Sequence, residues 1–288
     1  MIHIHNGDVV TTLARRSDIP GEHLAFHESL VTGNPHPAAR ADALSEAYGE
    51  DLLRVHNDLF EQEQALDKAR EQDEIVLWFE HDLYCLVHFV YLLQRFAGAR
   101  LSCVWHPTPL GQCDERELHL AFDSRAAVTP AMLDIAAQVW RDYTSHDPSG
   151  LNRWIADATP DFPFLQRGIT LHASRFPSRF NGLGAIEQQA LTCSDLDSLF
   201  PKTEGFGFGD TELLRILRGM ASCAAPLITL TETEGQPAKA IFAITPMGER
   251  VLAGEIDDVG VNDPDNWLGG VHLKKGNVWR FDGKALSR

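Results

Sequence analysis

Short apolar runs alternate with longer amphipathic segments along the first 125 residues. Four runs predict strands, and the segments between them predict helices over 8–16, 38–73 and 82–95; the strands are Ile2–His5, His23–Phe26, Ile75–Phe79 and Leu101–Trp105. Strand–helix alternation with short loops is typical of parallel strands joined by right-handed crossovers. The run from Ile75 to Phe79 is apolar throughout, as expected for a strand covered on both faces. We therefore predict an α/β fold with a Rossmann-like parallel-sheet domain over residues 1–125.

The pattern after residue 125 is mostly helical. Thr129 and Pro130 suit the start of a helix, with Thr as the N-cap and Pro in the first turn. This predicts a helical connector over residues 126–180. In residues 181–288, two helices precede a strand pair, a further helix over Pro246–Leu252 and a final hairpin after Trp267. That order is compatible with a winged-helix-like α+β C-terminal domain.

Composition narrows the function classes. The chain of 288 residues has a formal net charge of −16, which disfavours non-specific binding of nucleic acid. No run of 18 apolar residues occurs, and the N-terminus lacks the pattern of a secretory signal, so we expect a cytoplasmic protein with no membrane partner. The five cysteines form no CxxC pair, which argues against a disulfide framework or a zinc finger.

Polar residues follow each of the four predicted strands. They are Asn6-Gly7-Asp8, His27-Glu28, Glu80-His81-Asp82 and His106. Because ligands bind outside the carboxyl ends of the strands in open parallel sheets, these residues are expected to share one edge. Carboxylates and histidines can bind a metal or move protons, so this edge is the predicted functional site.

Three of these residues are candidate catalytic groups: Asp8, His81 and Asp82. Asp8 and Asp82 each stand between a strand and a helix, so an N-cap role also explains them. Glu80-His81-Asp82 supplies three polar residues where a cap needs one. His81, Cys85 and His88 have a spacing that a metal could use, but the apolar helix around them favours core packing for Cys85 and His88.

Other residues of the same loops are candidate ligand contacts. These are Asn6, Gly7, His27, Glu28, Gly33, Arg40, Glu80 and His106. Arg40 could pair with a carboxylate or phosphate, or form a surface salt bridge. Neither GxGxxG nor a P-loop motif occurs, so the standard nucleotide motifs lack support. A divalent metal is a plausible cofactor, although the spacing defines no single set of ligands.

Three segments carry a resemblance to a known family. Asn6-Gly7-Asp8, Leu30-Val-Thr-Gly33 followed by Arg40, and Leu77-Trp-Phe-Glu-His-Asp-Leu83 resemble the bacterial proteins grouped as domain of unknown function 1835 (DUF1835). The resemblance covers most of the predicted N-terminal domain. Thr245–Gly254 and Trp267-Leu-Gly-Gly270 resemble the C-terminal extension of some members. The resemblance implies a fold grouping and these candidate positions, and it implies no activity.

Two functions from different classes remain open. The first is an enzyme that performs metal-assisted hydrolysis or transfer on a small or phosphorylated ligand at the sheet edge. The alternative is a ligand-sensing regulator whose C-terminal domain binds DNA or a partner. Convergence of Asp8, Glu28, His81 and Asp82 would favour the enzyme.

A basic face around Arg215, Arg218 and Lys239 would favour the regulator. The candidate recognition helix carries Arg215 and Arg218 against two acids, and the following hairpin carries Glu232 and Glu234. That balance is poor for contact with phosphates and favours a structural role or a homodimer contact.

Overall fold

A computed structural model describes residues 1–233 and 235–288, so Glu234 of the predicted wing lies outside the described residues. Five strands form the main sheet, in the order β2-β1-β3-β4-β5. They are β1 (Ile2–Asn6), β2 (Glu22–Phe26), β3 (Ile75–Glu80), β4 (Leu101–His106) and β5 (Ala126–Ala127). The first four are parallel and β5 is antiparallel to β4. The predicted α/β class and the four predicted parallel strands are therefore confirmed.

Helices cover both faces of this sheet. They are α1 (Asp8–Arg16), α2 (Arg40–Tyr48), α3 (Leu52–Ala69), α4 (Leu83–Arg95) and α5 (Glu115–Asp123). Helices α1 and α5 pack on one face around Trp78, and α3 and α4 pack on the other around Leu77 and Phe79. The single helix predicted over 38–73 is two helices, because Gly49 ends α2 in a left-handed conformation (φ 68°) and Asp51 caps α3.

The connector packs on the buried helix α4. It contains α6 (Pro130–Tyr143), α7 (Asn152–Ala156) and α8 (Leu165–Ser174). Thr129 accepts a hydrogen bond from the backbone of Met132, as its predicted capping role requires. Ala136, Val139 and Ile169 join Leu86 and Phe89 of α4 in one core.

The C-terminal unit has its own core around Leu213, Leu217 and Phe242. Its elements are α9 (Ala185–Ala190), α10 (Leu196–Thr203), α11 (Asp210–Ser222), β6 (Ile228–Thr233), β7 (Gln236–Ile244) and α12 (Pro246–Leu252). Strands β6 and β7 are antiparallel, and Asp195 forms an isolated bridge with Ile241 of β7. The observed order therefore runs helix, bridge, helix, helix, hairpin, helix.

The C-terminal tail returns to the core of the N-terminal half. It contains α13 (Asp258–Asn262), β8 (Asn266–Leu268), β9 (Val271–Leu273), β10 (Arg280–Phe281) and β11 (Leu286–Ser287). Leu268, Trp279, Phe281 and Leu286 share a core with α4 and the connector, and Asn152 of α7 bonds the backbone of Leu286. The sequence-based boundary grouped this tail with the preceding unit, whereas its apolar residues pack mainly on the connector.

Among the described residues, no helix combines the length and the apolar character needed to cross a lipid bilayer.

Candidate functional site

A cleft of about 1150 Å³ opens at the carboxyl ends of β1 and β2. The N-terminal domain supplies Asn6, Gly7 and Asp8 after β1, residues 24–29 along β2, and one face of α2 and α3. The C-terminal unit supplies Gly207 and residues 209–212 around the start of α11. Five predicted site residues line this cleft: Asn6, Gly7, Asp8, His27 and Glu28.

Two helices begin in the wall of the cleft. Helix α1 starts after Gly7 and α11 starts after Gly209, and neither start has a side-chain cap. A Cβ atom built on either glycine would meet nothing within 4 Å, so both glycines face open space. The first N–H groups of a helix carry partial positive charge and lack partners within the helix. Asp8 and Asp210 are the first residues of these helices, so each start also carries a carboxylate.

Asp8 is exposed at the mouth of the cleft. Its carboxylate lies 3.0 Å from Nε2 of His27, and the two side chains are 78% and 60% exposed. Gly7 holds the N-cap position, so the capping role considered for Asp8 does not apply. A carboxylate this exposed is free to meet a ligand.

Arg40 is buried, in contrast to the surface salt bridge considered for it. Its guanidinium donates to Oε1 of Glu28 at 2.5 Å and to three carbonyl oxygens of the loop before it. Gly33 in that loop has φ 65°, and a Cβ there would lie 2.6 Å from the Cβ of Ala43. Neither residue lines the cleft. Arg40 and Gly33, predicted as ligand contacts, shape the loop that carries Glu28.

We call residues 27–34 the bridging loop, because side chains from several helices hold its backbone. Every carbonyl from residue 28 to residue 32 accepts a hydrogen bond from a side chain; the donors are Tyr84 of α4, Arg40 of α2, Tyr143 of α6 and Arg175 at the end of α8. The backbone N–H of Leu30 donates to Nε2 of His88 in α4. Sequence reasoning named Arg40 but missed Tyr84, Tyr143 and Arg175, because these donors come from distant segments.

A buried carboxylate of the C-terminal unit completes this network. Glu212 of α11 accepts hydrogen bonds from Thr32 (2.8 Å) and Tyr48 (2.9 Å), and it pairs with Arg215 at 2.6 Å. Burial alone would raise the pKa of Glu212, but the charge and hydrogen bonds of Arg215 hold it below its ordinary value. Burial, and then the charge of Glu212, raise the pKa of Tyr48 to about 12. Glu212 therefore ties the bridging loop to the start of α11.

Glu80, His81 and Asp82 at the end of β3 stand outside the lining of the cleft. Asp82 caps α4 by accepting the N–H of Cys85 at 2.7 Å, and Glu80 accepts the N–H of Leu110 at 2.8 Å. The backbone of Gly207, a lining residue, packs directly on the carboxylate of Asp82. Asp82 is thus one residue behind the cleft wall. Asp8 and Glu28 line the cleft and His81 and Asp82 do not, so the cleft does not bring these four residues together as the enzyme interpretation expects.

Burial sets the protonation of these three side chains. It raises the pKa of Asp82 to about 7 and raises that of Glu80. Burial, with the nearby charge of His106, lowers the pKa of His81. The ring of His81 stacks on Phe164 with centroids 5.3 Å apart, and its Nε2 has no hydrogen-bond partner among the described residues.

The remaining predicted positions lie in the protein interior or in a local turn. Cys85 and His88 are buried in the core, as predicted. Nδ1 of His106 lies 2.8 Å from the carbonyl oxygen of Thr108, so this ring belongs to the turn after β4. His3 and His5 are buried on β1 in hydrogen bonds with Pro20 and His23.

The metal-like triplet considered on α4 is replaced by a different group. This group contains Cys85 but neither His81 nor His88. One ligand atom from each of Glu80, Asp82 and Cys85 lies within 4.8 Å of the others. Sγ of Cys85 also accepts a hydrogen bond from the amide of Asn6 at 3.0 Å. Asn6 is therefore shared between the cleft and this group.

Neither the models of known protein families nor the curated proteins contain a match to this chain.

Proposed function

We propose that the protein binds a small-molecule ligand in the cleft and acts on it by metal-assisted hydrolysis or transfer. The observation that carries this proposal is the position of the cleft at the carboxyl ends of β1 and β2, with two uncapped helix starts in its wall. Ligands of open parallel sheets bind at this edge, and convergent polar groups in a large cleft are typical of a ligand site.

The charge of the lining favours a ligand that carries positive charge. Seven carboxylates contribute to it: Asp8, Glu28, Glu50, Asp58, Glu61, Asp210 and Glu212. Glu28 and Glu212 are neutralised by Arg40 and Arg215, and Arg54 is the one Arg or Lys of the lining. The net field is negative, so a bare phosphate would be repelled. A phosphorylated ligand would enter as a complex with a divalent metal, which is the cofactor that we propose.

One wall of the cleft is apolar. Leu24 and Phe26 come from β2, and Leu44, Val55 and Leu59 come from α2 and α3. Apolar surface of this kind stabilises a bound ligand by burying its hydrocarbon part. The best-supported ligand is therefore a small organic cation with an apolar body.

We propose Asp8 as the carboxylate that meets the ligand, with His81 behind the wall as the proton-transfer group and Asp82 beside it as a ligand of a metal. Burial and the charge of His106 lower the pKa of His81, so its neutral ring is available to accept a proton near pH 7. The backbone of Gly207 lies between the cleft and the carboxylate of Asp82, so a ligand in the cleft would reach these groups past Gly207.

Thermal-shift measurements with a panel of organic amines, and of nucleotides with and without Mg²⁺, test the proposal. A ligand at 100 times its Kd stabilises the folded state by about 2.7 kcal/mol, which raises the melting temperature by several degrees. Amines should give this rise, and nucleotides should need Mg²⁺. Asp210→Asn should weaken the rise, whereas Asp134→Asn, an exposed acid on α6 outside the cleft, should not. Equal shifts in both variants would count against binding in the cleft.

A ligand-sensing regulator is the second candidate, and one observation favours it. The order α9, bridge of Asp195 with β7, α10, α11, hairpin is the order of a winged helix, and α11 begins in the cleft. A ligand in the cleft would then act on the helix that winged-helix proteins use for recognition.

The arginines of α11 argue against DNA as the partner. Arg215 pairs with Glu212 and Arg218 pairs with Glu232, so neither forms a free basic face with Lys239. We propose a second copy of the chain as the partner in this case, through the wing on which Ile241 is 58% exposed. Light scattering after size exclusion, with Ile241→Glu as the variant, tests this contact; a wild-type monomer at high concentration contradicts it.

A further inference from the structure

Two carboxylates and one thiol meet where β3 passes into α4. One ligand atom from each of Glu80, Asp82 and Cys85 lies within 4.8 Å of the others, a spread that a single metal ion can bridge. Glu80 is the last residue of β3, Asp82 is the cap of α4, and Cys85 stands one turn further on. Backbone N–H groups of Leu110 and Cys85 bond one oxygen of each carboxylate. The carboxylate of Asp82 is also hydrogen-bonded by the Cys85 thiol and the backbone of Tyr84.

Within the described residues, these two acids form no ion pair with a protein cation. Among the described residues, no Lys, Arg or His nitrogen lies within 4.0 Å of the carboxylate oxygens of Glu80 or Asp82. Buried carboxylates are ordinarily paired with a cation or with a metal. By contrast, the partly buried acids Glu28, Glu74 and Glu212 each pair with an arginine. The two carboxylates at the end of β3 therefore have no ion-pair partner among the described residues.

A chain of hydrogen bonds orients the side-chain amide of Asn6 toward the sulfur of Cys85. The N–H of Leu30 can only donate, so Nε2 of His88 accepts it at 3.2 Å and Nδ1 carries the proton. Nδ1–H then donates to Oδ1 of Asn6 at 2.9 Å, which directs the Nδ2 amide to Sγ of Cys85 at 3.0 Å. A fixed donor at sulfur favours the thiolate, the form that binds metals, although burial and the charges of Asp82 and Glu80 raise the pKa of the metal-free Cys85 thiol.

We propose that Glu80, Asp82 and Cys85 bind one divalent transition metal ion of the zinc class. A thiolate beside two carboxylates suits borderline-soft ions such as Zn²⁺ or Co²⁺ and is a poor match for Mg²⁺ or Ca²⁺, which prefer oxygen alone. On binding, the thiol releases its proton to solvent and its sulfur lone pair forms the bond to the metal. Three protein ligands leave a fourth position of a tetrahedral ion for water.

Asn6 is the positioning residue of this metal site. It touches the sulfur and also lines the cleft, so it stands between the metal and the ligand-binding region. Groups that orient a metal ligand typically contribute about 10–100-fold to metal affinity. The proposed metal site does not depend on whether the cleft binds an organic cation. Metal binding and cation binding are tested by separate measurements.

Titration of the full, chelator-treated chain with Co²⁺ tests the site directly. A bound thiolate gives a sulfur-to-cobalt charge-transfer absorption in the near ultraviolet, which should saturate at one equivalent. Zn²⁺ should abolish the band by competition and Mg²⁺ should not. Cys85→Ser should remove the band, and Cys103→Ser, which changes another buried free cysteine in the neighbouring strand, should keep it. A band that survives Cys85→Ser, or a wild-type protein without one, overturns the proposal.

Two further measurements keep the proposal testable if Cys85→Ser fails to fold. In the wild-type chain, Zn²⁺ should protect Cys85 from alkylation in mild denaturant and leave the rate at Cys113 unchanged, as read by mass spectrometry. Asn6→Leu should weaken Co²⁺ binding by about 10–100-fold and shift the charge-transfer band, because the hydrogen bond to sulfur is lost. Equal alkylation of both cysteines with and without Zn²⁺ contradicts the site. None of these readouts needs the amine panel, so failure here leaves the cleft proposal standing.

Discussion

The strand-end residues and the bridging loop both lie at the carboxyl edge of the sheet, but different forces hold them. Asp8 and Asp82 are held mainly by their own helix starts and by one near neighbour each. The bridging loop is held by side chains of α2, α4, α6, the end of α8 and α11. The exposed Asp8 can therefore change with little effect on the fold, whereas the loop joins three parts of the chain.

This difference separates candidate chemistry from architecture. Exposed groups at the strand ends, such as Asp8, are available to a ligand and contribute little to stability. Buried polar groups that hold the loop, such as Arg40 and Glu212, make several hydrogen bonds inside the protein. Substitutions in the two regions should thus separate stability from ligand binding.

The largest effect is expected for Arg40→Ala. It leaves Glu28 as a mostly buried carboxylate without its cation and frees the carbonyls of Ser29 and Thr32. Removing one partner of a buried pair costs about 3–5 kcal/mol, so the free energy of unfolding should fall by that amount. Urea denaturation followed by circular dichroism measures it.

Arg54→Ala is the matched control for this variant. Arg54 pairs with Glu50 and Asp58, but its side chain is 68% exposed, so its loss should change the free energy of unfolding by less than about 1 kcal/mol. Equal losses for the two arginines would erase the distinction between the loop and the surface.

The elements of the fold that depend on local sequence patterns were predictable. The apolar run of β3 and the all-round apolar face of α4 predicted a covered strand and a buried helix, and both are observed. The break at Gly49 inside the predicted long helix was missed, because the residues on both sides favour helix. The return of the tail to the connector was missed for a different reason. The apolar character of residues such as Trp279 predicts burial, but it does not indicate which part of the chain they pack against.

The candidate site was predictable only where it follows the strands. Asn6, Asp8 and Glu28 were named from strand ends and do line the cleft. Tyr48 and Glu212 were missed, although they form its other wall, because they lie 164 positions apart and meet only in the folded chain. The one available signal was the repeated Gly-Asp at helix starts, Gly7-Asp8 and Gly209-Asp210. It marks two uncapped helix ends that face one space.

A pH dependence of stability tests His88, which links the two regions. Burial, and then the charge of Arg40, lower the pKa of His88 from 6.5 to about 3. The unfolded chain binds this proton below pH 6.5 while the folded chain does not, so the contribution is complete above pH 6.5 and is lost as pH falls toward 3. The expected slope is about 1.4 kcal/mol per pH unit for this group.

The free energy of unfolding, measured by urea denaturation between pH 7 and pH 5, should lose this contribution to its pH dependence in His88→Gln. His146→Gln, at an exposed position on the connector, should leave it unchanged. His3 adds to the wild-type slope in the same direction, because burial lowers its pKa to about 4. A pH profile that is the same in wild type and His88→Gln would mean that the histidine is not held neutral.

A loss of stability is also expected for Gly33→Ala in the bridging loop. The left-handed backbone at residue 33 costs an alanine about 1–2 kcal/mol, and its Cβ would lie 2.6 Å from the Cβ of Ala43. Overpacking of this kind adds about 1–3 kcal/mol. Gly49→Ala is the control, because residue 49 has the same backbone region (φ 68°) but open space around it. Thermal unfolding should rank Gly33→Ala clearly below Gly49→Ala; equal melting temperatures would show that the loop can move away from α2.

The smallest change in stability, and the clearest change in binding, is expected for Asp8→Asn. Asp8 contributes an exposed pair with His27 and a charge at the start of α1, together worth less than about 1 kcal/mol. Its carboxylate also faces the cleft, so the thermal shift given by the best amine of the panel should shrink. Asp42→Asn removes an exposed acid from the first turn of α2, outside the cleft, and should match Asp8→Asn in stability while keeping the full shift. If Asp8→Asn instead destabilised the protein as much as Arg40→Ala, the strand ends would be part of the architecture, and the contrast with the bridging loop would fail.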